Sequence, residues 1–144
     1  MFASIEIFGL SSCVGVSDWE YELPNGYFVS RINATNICIC HLENEQYSMY
    51  TVVIDKYITC FSYNDTYICA RRLEVELQAK PEEILNMDFD EAWYCILNAG
   101  TGEVYDSLTE EEYDKLIEEL NITNLCDWIG TDKKPEGAYS LKWE

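Results

Sequence analysis

One histidine and nine basic residues are all the cationic chemistry this 144-residue chain carries. The lack of Lys and Arg argues against nucleic acid and anionic membrane surfaces as ligands, because both need basic patches. No apolar run is long enough for a transmembrane helix. Met1–Ser12 has no basic leader, and Glu6 interrupts its apolar residues, so it makes no proper signal peptide. There is no internal repeat and no linker that would split the chain, so residues 1–144 read as a single domain. Catalytic signatures are missing as well. The chain has no nucleophile elbow, phosphate loop, HExxH or CxxC. The lone His41 follows Cys40 on an expected strand, so the two point to opposite faces and cannot pair.

What is present is acid and apolar bulk. Twenty-seven acidic residues bring the net charge to −18. Hydrophobic residues make up 48%, enough to exclude disorder, and eleven Tyr lean toward strands. Seven Cys follow no metal-like or scaffold-like spacing, and Cys38, Cys40, Cys60, Cys69 and Cys95 sit inside apolar strand patterns. Free buried thiols of this kind imply a reducing compartment, hence the cytoplasm. A two-residue turn at Asn64-Asp65 would set Cys60 opposite Cys69, as packed thiols or as a disulfide. Three sequon-like triplets begin at Asn33, Asn64 and Asn121 and read as turn and cap residues.

Asp90–Glu119 gives the clearest structural instruction. Trp93, Cys95 and Leu97 alternate with Tyr94 and Ile96, so both faces of this strand are apolar and both are expected to be covered. Gly100 and Gly102 supply a turn, and Val104-Tyr105 a short return strand. Thr109 and Glu112 then form a capping box, with Leu108 and Tyr113 placed as a hydrophobic staple. Tyr113, Leu116, Ile117 and Leu120 fall on one helical face.

Upstream, short strands are expected at Ser4–Phe8, Asp18–Leu23, Tyr27–Ile32, Asn36–Leu42, Tyr50–Ile54, Tyr57–Tyr63 and Thr66–Val75. Pro81 opens a brief helix, and Tyr139, Leu141 and Trp143 alternate as a last strand would. The expected class is α+β: one antiparallel sheet or small open barrel of about 7–9 short strands. One helix over residues 109–120 would pack against it.

No cofactor or metal is called for. Asp88-Phe89-Asp90-Glu91 lacks a calcium-loop pattern and reads as a solvated loop. Binding is the better prospect. Acids gather around the central stretch with aromatics among them, which suits a basic protein partner steered by charge. The residues expected to carry it are Asp106, Glu110, Glu111, Asp114 and Glu118. On the other reading those acids are a wet face and the aromatics are core.

Two blocks resemble an uncharacterised family of small bacterial proteins, many of them described as lipoproteins. They are Asp18–Ile32, with its Leu-Pro-Asn-Gly-Tyr turn, and Trp93–Leu120, with its Trp-aromatic-Ile-Leu strand and acidic helix. Leu10–Cys13 falls where that family's lipobox would, after a shortened acidic leader. The resemblance implies a lipid-anchored envelope domain and carries over no functional residue. In general character the chain is also similar to bacterial immunity proteins, which neutralise a toxin domain by covering it. The leading expectation is therefore a non-enzymatic cytoplasmic inhibitor of a basic toxin or effector. The alternatives are the envelope domain and an enzyme with an unrecognised carboxylate or thiol site.

Overall fold

The computed structural model describes residues 18–47 and 49–141. The expected strand at Ser4–Phe8, the lipobox Cys13 and Trp143 lie outside the described residues. In chain order the strands are β1 (Trp19–Glu22), β2 (Tyr27–Asn33), β3 (Asn36–Asn44), β4 (Met49–Ile54), β5 (Ile58–Tyr63), β6 (Tyr67–Arg72), β7 (Trp93–Asn98), β8 (Val104–Leu108), β9 (Ile129–Gly130) and β10 (Tyr139–Ser140). Two short helices interrupt them, α1 (Pro81–Leu85) and α2 (Glu110–Glu119).

These strands form two antiparallel five-stranded sheets, ordered β10-β1-β2-β3-β4 and β8-β7-β6-β5-β9. The expectation of an α+β protein with one sheet or a small barrel is thereby corrected. The described residues are mostly β, and α2 is the one helix of substantial length among them. The chain changes sheet between β4 and β5, at residues 55–57, where the ladder is broken. After α2 it crosses back, adding β9 to the edge of the second sheet and β10 to the edge of the first.

Alternation decides what each sheet buries. Val29, Ile37, Ile39 and Ile54 of the first sheet meet Ile58, Phe61, Ile68, Ala70 and Leu97 of the second in one core. Each large aliphatic side chain removed from water there contributes about 1.5–3 kcal/mol. Tyr21 ties the layers together: its ring lies edge-on to Phe61 at 5.0 Å, and its hydroxyl meets that of Tyr63 at 2.8 Å. The Pro24–Gly26 turn adds a further tie, with the Asn25 amide donating to the Ala99 carbonyl at 3.1 Å. Gly26 sits at φ 84°, where L side chains are strained, and a Cβ there would lie 3.4 Å from the His41 ring.

The outer face of the second sheet carries a separate cluster. Cys69 and Ile96 pack there with Tyr113 of α2 and with Ile122, flanked by Tyr94, Leu108, Leu116, Ile117 and Leu120. β7 is thus covered on both faces, as its doubly apolar pattern requires.

The asparagines of the sequon-like triplets are turn and cap residues. Asn33 Oδ1 accepts from the Thr35 amide and hydroxyl, each at 2.9 Å. Asn64 Oδ1 accepts from the Thr66 and Tyr67 amides at 2.8 and 2.7 Å. That Asx turn lengthens the β5–β6 loop, so Cys69 faces Ser62 and Cys60 faces Arg71. The expected Cys60–Cys69 pairing is displaced by two residues, and both thiols are free. Asn121, at φ 56°, ends α2, and the Ile122 amide reaches back to the Ile117 carbonyl at 3.0 Å.

Candidate partner-binding surface

α2 starts where the capping box sets it. Thr109 Oγ1 accepts from the Glu112 amide at 3.2 Å, and Glu112 Oε1 accepts from the Thr109 amide at 2.9 Å. Such a cap is worth about 1 kcal/mol. Tyr113 is the one buried residue of the helix. Its ring stacks on Tyr94 at 4.6 Å and tilts against Trp128 at 6.2 Å. This aromatic clamp seats α2 and fixes which side of it faces water.

On that outward side stand Glu110, Glu111, Asp114 and Glu118, all exposed. The first three, with Thr109, rim one shallow depression. Glu118 follows Asp114 by one helical turn on the same side. Among the described residues the ion pairs are Arg31–Asp18, His41–Glu43, Lys56–Asp55 and Arg72–Asp106, and none involves α2. The helix has acids in its first turn, which the dipole favours, and no basic residue in its last. The field of these carboxylates reaches inward. Burial pushes the Tyr94 hydroxyl up; Arg71 opposes this, and Glu110 and Asp114 add to it.

Asp106 does not join them. Between Tyr94↔Leu108 and Ile96↔Tyr105, two residues of β8 stand opposite one of β7, a β-bulge in which Ser107 takes φ 57°. The bulge turns Asp106 to the face of the sheet opposite α2, the side on which Cys95 lies. There its carboxylate accepts from the Cys95 thiol at 3.0 Å, the Ser107 amide at 2.6 Å and Arg72 at 3.3 Å. Burial raises the Asp106 carboxyl, but Cys95, Arg72 and Ser107 outweigh it and hold the group below the usual carboxylate range. Four of the five expected residues therefore share a surface, and the fifth is held by internal contacts.

The aromatics divide in the same way. Tyr94 and Tyr113 are clamp residues, whereas Trp93 is 37% exposed and Trp128 43%. Trp128 was not singled out in the sequence. Nothing in its local pattern separates it from a core tryptophan. A groove beside α2 is lined by Trp93, Asp90, Glu91 and Glu110, with Arg71 at its base. Arg71 lies 4.3 Å over the Tyr94 ring and donates to the Asp90 and Ala92 carbonyls at 3.1 and 2.9 Å. Its buried Nε has no hydrogen-bond partner, although the guanidinium as a whole lies over the ring face.

Among the described residues the buried thiols shift in both directions: contact with Cys40 lowers that of Cys38, whereas burial raises those of Cys69 and Cys95. Burial and the Asp106 carboxylate push Cys95 up to about 12. Burial pushes Cys69 up to about 11. Cys38 and Cys40 lie 3.5 Å apart, sulfur to sulfur, and are buried. His41 is engaged by Glu43 at 2.6 Å and by the Asn25 carbonyl at 3.1 Å. Among the described residues no cluster of His, Cys, Asp and Glu is arranged to hold a metal. No helix among them is long and apolar enough to cross a membrane.

Fold and surface together define a two-sheet β protein that presents an acidic helix. Residues 24–128 match the family described as a protein of unknown function, DUF3997, and the chain belongs to that family. The matched residues run from the Pro24 turn to Trp128 and include β2 to β8, α1 and α2. No curated protein and no solved structure matches the chain. Membership of an uncharacterised family agrees with the resemblance in the sequence. Neither a lipoprotein nor an immunity character follows from it.

Proposed function

We propose that the protein is an acidic protein-binding domain, an inhibitor that occludes a basic toxin or effector through the outer side of α2. One observation carries this reading. Glu110, Glu111, Asp114 and Glu118 stand together on a firmly seated helix that carries a single cation, Lys115, and none of the four has an ion-pair partner among the described residues. Like charges held side by side repel one another, and the helix dipole offsets this only for Glu110 and Glu111 in the first turn. A basic partner would remove that repulsion on docking, and long-range attraction would speed the encounter. Trp93 and Trp128, both partly exposed near the helix, supply the kind of aromatic contact that holds an interface once formed. Asp106 takes no part, because its carboxylate is used internally.

The test is affinity capture from the native host at low and high salt. One bait is the wild-type chain. The other carries Glu110→Lys, Glu111→Lys, Asp114→Lys and Glu118→Lys. A stoichiometric basic partner held by the wild type, released by salt and lost with the reversed helix is the expected result. A partner held equally by both baits, or none at low salt, would overturn the proposal.

A further inference from the structure

A second site lies away from α2, and its charge has the opposite sign. A cleft of about 340 Å³ opens at the seam between the sheets. Trp19 and Arg31 come from the first sheet, and Tyr57 and Thr131 from the side of the second. The returning C-terminal segment closes it with Lys133 and Lys134. Three of the nine basic residues in the chain therefore line this cleft, against two acids, Asp132 in the lining and Asp18 paired with Arg31. The other grooves have the reverse balance. One beside β1 is lined by Glu20, Glu22 and Glu45, and one beneath Trp93 by Glu74, Asp88 and Glu91, neither with any basic residue. In a chain of net charge −18, a local excess of cations is not a by-product of composition.

The interior of the cleft is built rather than incidental. Arg31 is 8% exposed, a costly place for a guanidinium, and Asp18 meets it at 3.3 Å. Lys134 is oriented by donating to Ser140 Oγ at 2.8 Å. The Thr131 hydroxyl is turned back to the Ile58 carbonyl at 2.7 Å, which fixes the segment that carries the two lysines. The rest of the lining is apolar. Trp19 and Ile84 are buried, while Leu85 is 77% exposed at the rim. α1 has only one buried residue, Ile84, and that residue forms part of this wall.

We infer that this cleft binds a small organic monoanion with an apolar body, a carboxylate whose head lies at Lys133 and Lys134, beside the Asp18-paired Arg31. The chemistry selects that class from two sides. Cations set among low-dielectric walls focus positive potential and favour an anionic head. The aromatic and aliphatic walls favour an apolar tail and offer few hydrogen-bond groups to a polyanion. A multiply charged ligand would also meet the strong negative field of the whole molecule. The volume is near the lower end for small-molecule sites, which suits a compact ligand. Each cleft is lined by residues the other lacks, so this site stands or falls independently of the acidic helix.

The test is an amide-shift titration of the full chain with 4-phenylbutyrate, 4-phenylbutylamine and 4-phenylbutanol as matched probes. The carboxylate is expected to give saturable shifts centred on Ala34, Thr131 and Lys133, with the amine and alcohol clearly weaker. Lys133→Ala with Lys134→Ala, two surface changes that leave the core intact, should weaken the carboxylate by roughly three- to tenfold. Raised salt should shrink that difference. Equal binding of alcohol and carboxylate would make the cleft a mere apolar crevice and overturn the inference. So would shifts centred elsewhere, or no saturable shift.

Discussion

Asp106 and Glu110 are four residues apart, yet they meet different fates. Asp106 is turned by a bulge into contact with Cys95, Ser107 and Arg72. Glu110 and the acids that follow it on α2 are lifted into water with no ion-pair partner among the described residues. The same side-chain chemistry serves the fold in one place and is left unspent in the other. The boundary between the two is the Thr109 cap, where the strand ends and the helix begins. An acidic stretch in a sequence is therefore not one electrostatic object. Its members must be sorted by what the backbone does to each.

The largest effect expected is on what holds the two sets apart. Tyr113→Ala removes the ring that stacks on Tyr94 and packs against Trp128. Truncating a buried aromatic of this kind costs about 3 kcal/mol. Urea unfolding should show a midpoint lowered accordingly. Partner capture should fall as well, although no carboxylate has been touched, because α2 loses its seat. A small change in stability would mean that the clamp is not what positions the acidic side.

Much of this arrangement was legible in the sequence. The capping box of Thr109 and Glu112 placed the start of α2, and the doubly apolar pattern of Trp93–Asn98 marked β7 as covered on both faces. The hairpin around Ala34-Thr35 and the short helix opened by Pro81 also stand where the residues put them. The pairing of sheets was not legible. Alternation says which residues of a strand share a face, but not which hairpins share a sheet. The break at residues 55–57 has no stronger turn signal than the hairpin loops do. The bulge at Ser107 was hidden too, since it depends on a positive φ at a residue with no marked preference for one. The cationic cleft was missed for a different reason. Arg31 and the Lys133-Lys134 pair are about a hundred residues apart, and only the return of the chain to β1 brings them together.

A smaller effect should separate Asp106 from the helix acids directly. Asp106→Ala leaves the Cys95 thiol without its acceptor and Arg72 with Ser107 Oγ alone. The carboxylate is 43% exposed, so screening discounts the loss, and about 1–2 kcal/mol is expected at neutral pH. The sign with pH follows from the depressed folded value. The carboxylate stabilises the fold above its ordinary value of 3.8, and that contribution is lost as pH falls through the lower folded value. The gap between wild type and variant in urea unfolding should therefore narrow on acidification below about pH 4. Partner affinity of the folded variant should match the wild type. A gap that widened in acid, or a specific loss of binding, would place Asp106 with the outward acids after all.

The smallest effect is the most discriminating, because its two readouts should move in opposite directions. Glu118 sits in the last turn of α2, beside Glu119, with no basic residue in that turn. Carbonyl ends of the helix dipole and a neighbouring carboxylate both disfavour its charge. Glu118→Gln keeps the side-chain length and removes that conflict, so the fold should gain about 0.3 kcal/mol. If the outer side of α2 meets a basic partner, the same change weakens capture at low salt and the difference fades at high salt. A residue retained only for solubility would show the first change without the second. A residue that supports the fold would show a loss of stability instead. Gain in stability together with loss of binding is the one combination that makes Glu118 a cost the fold bears for its partner.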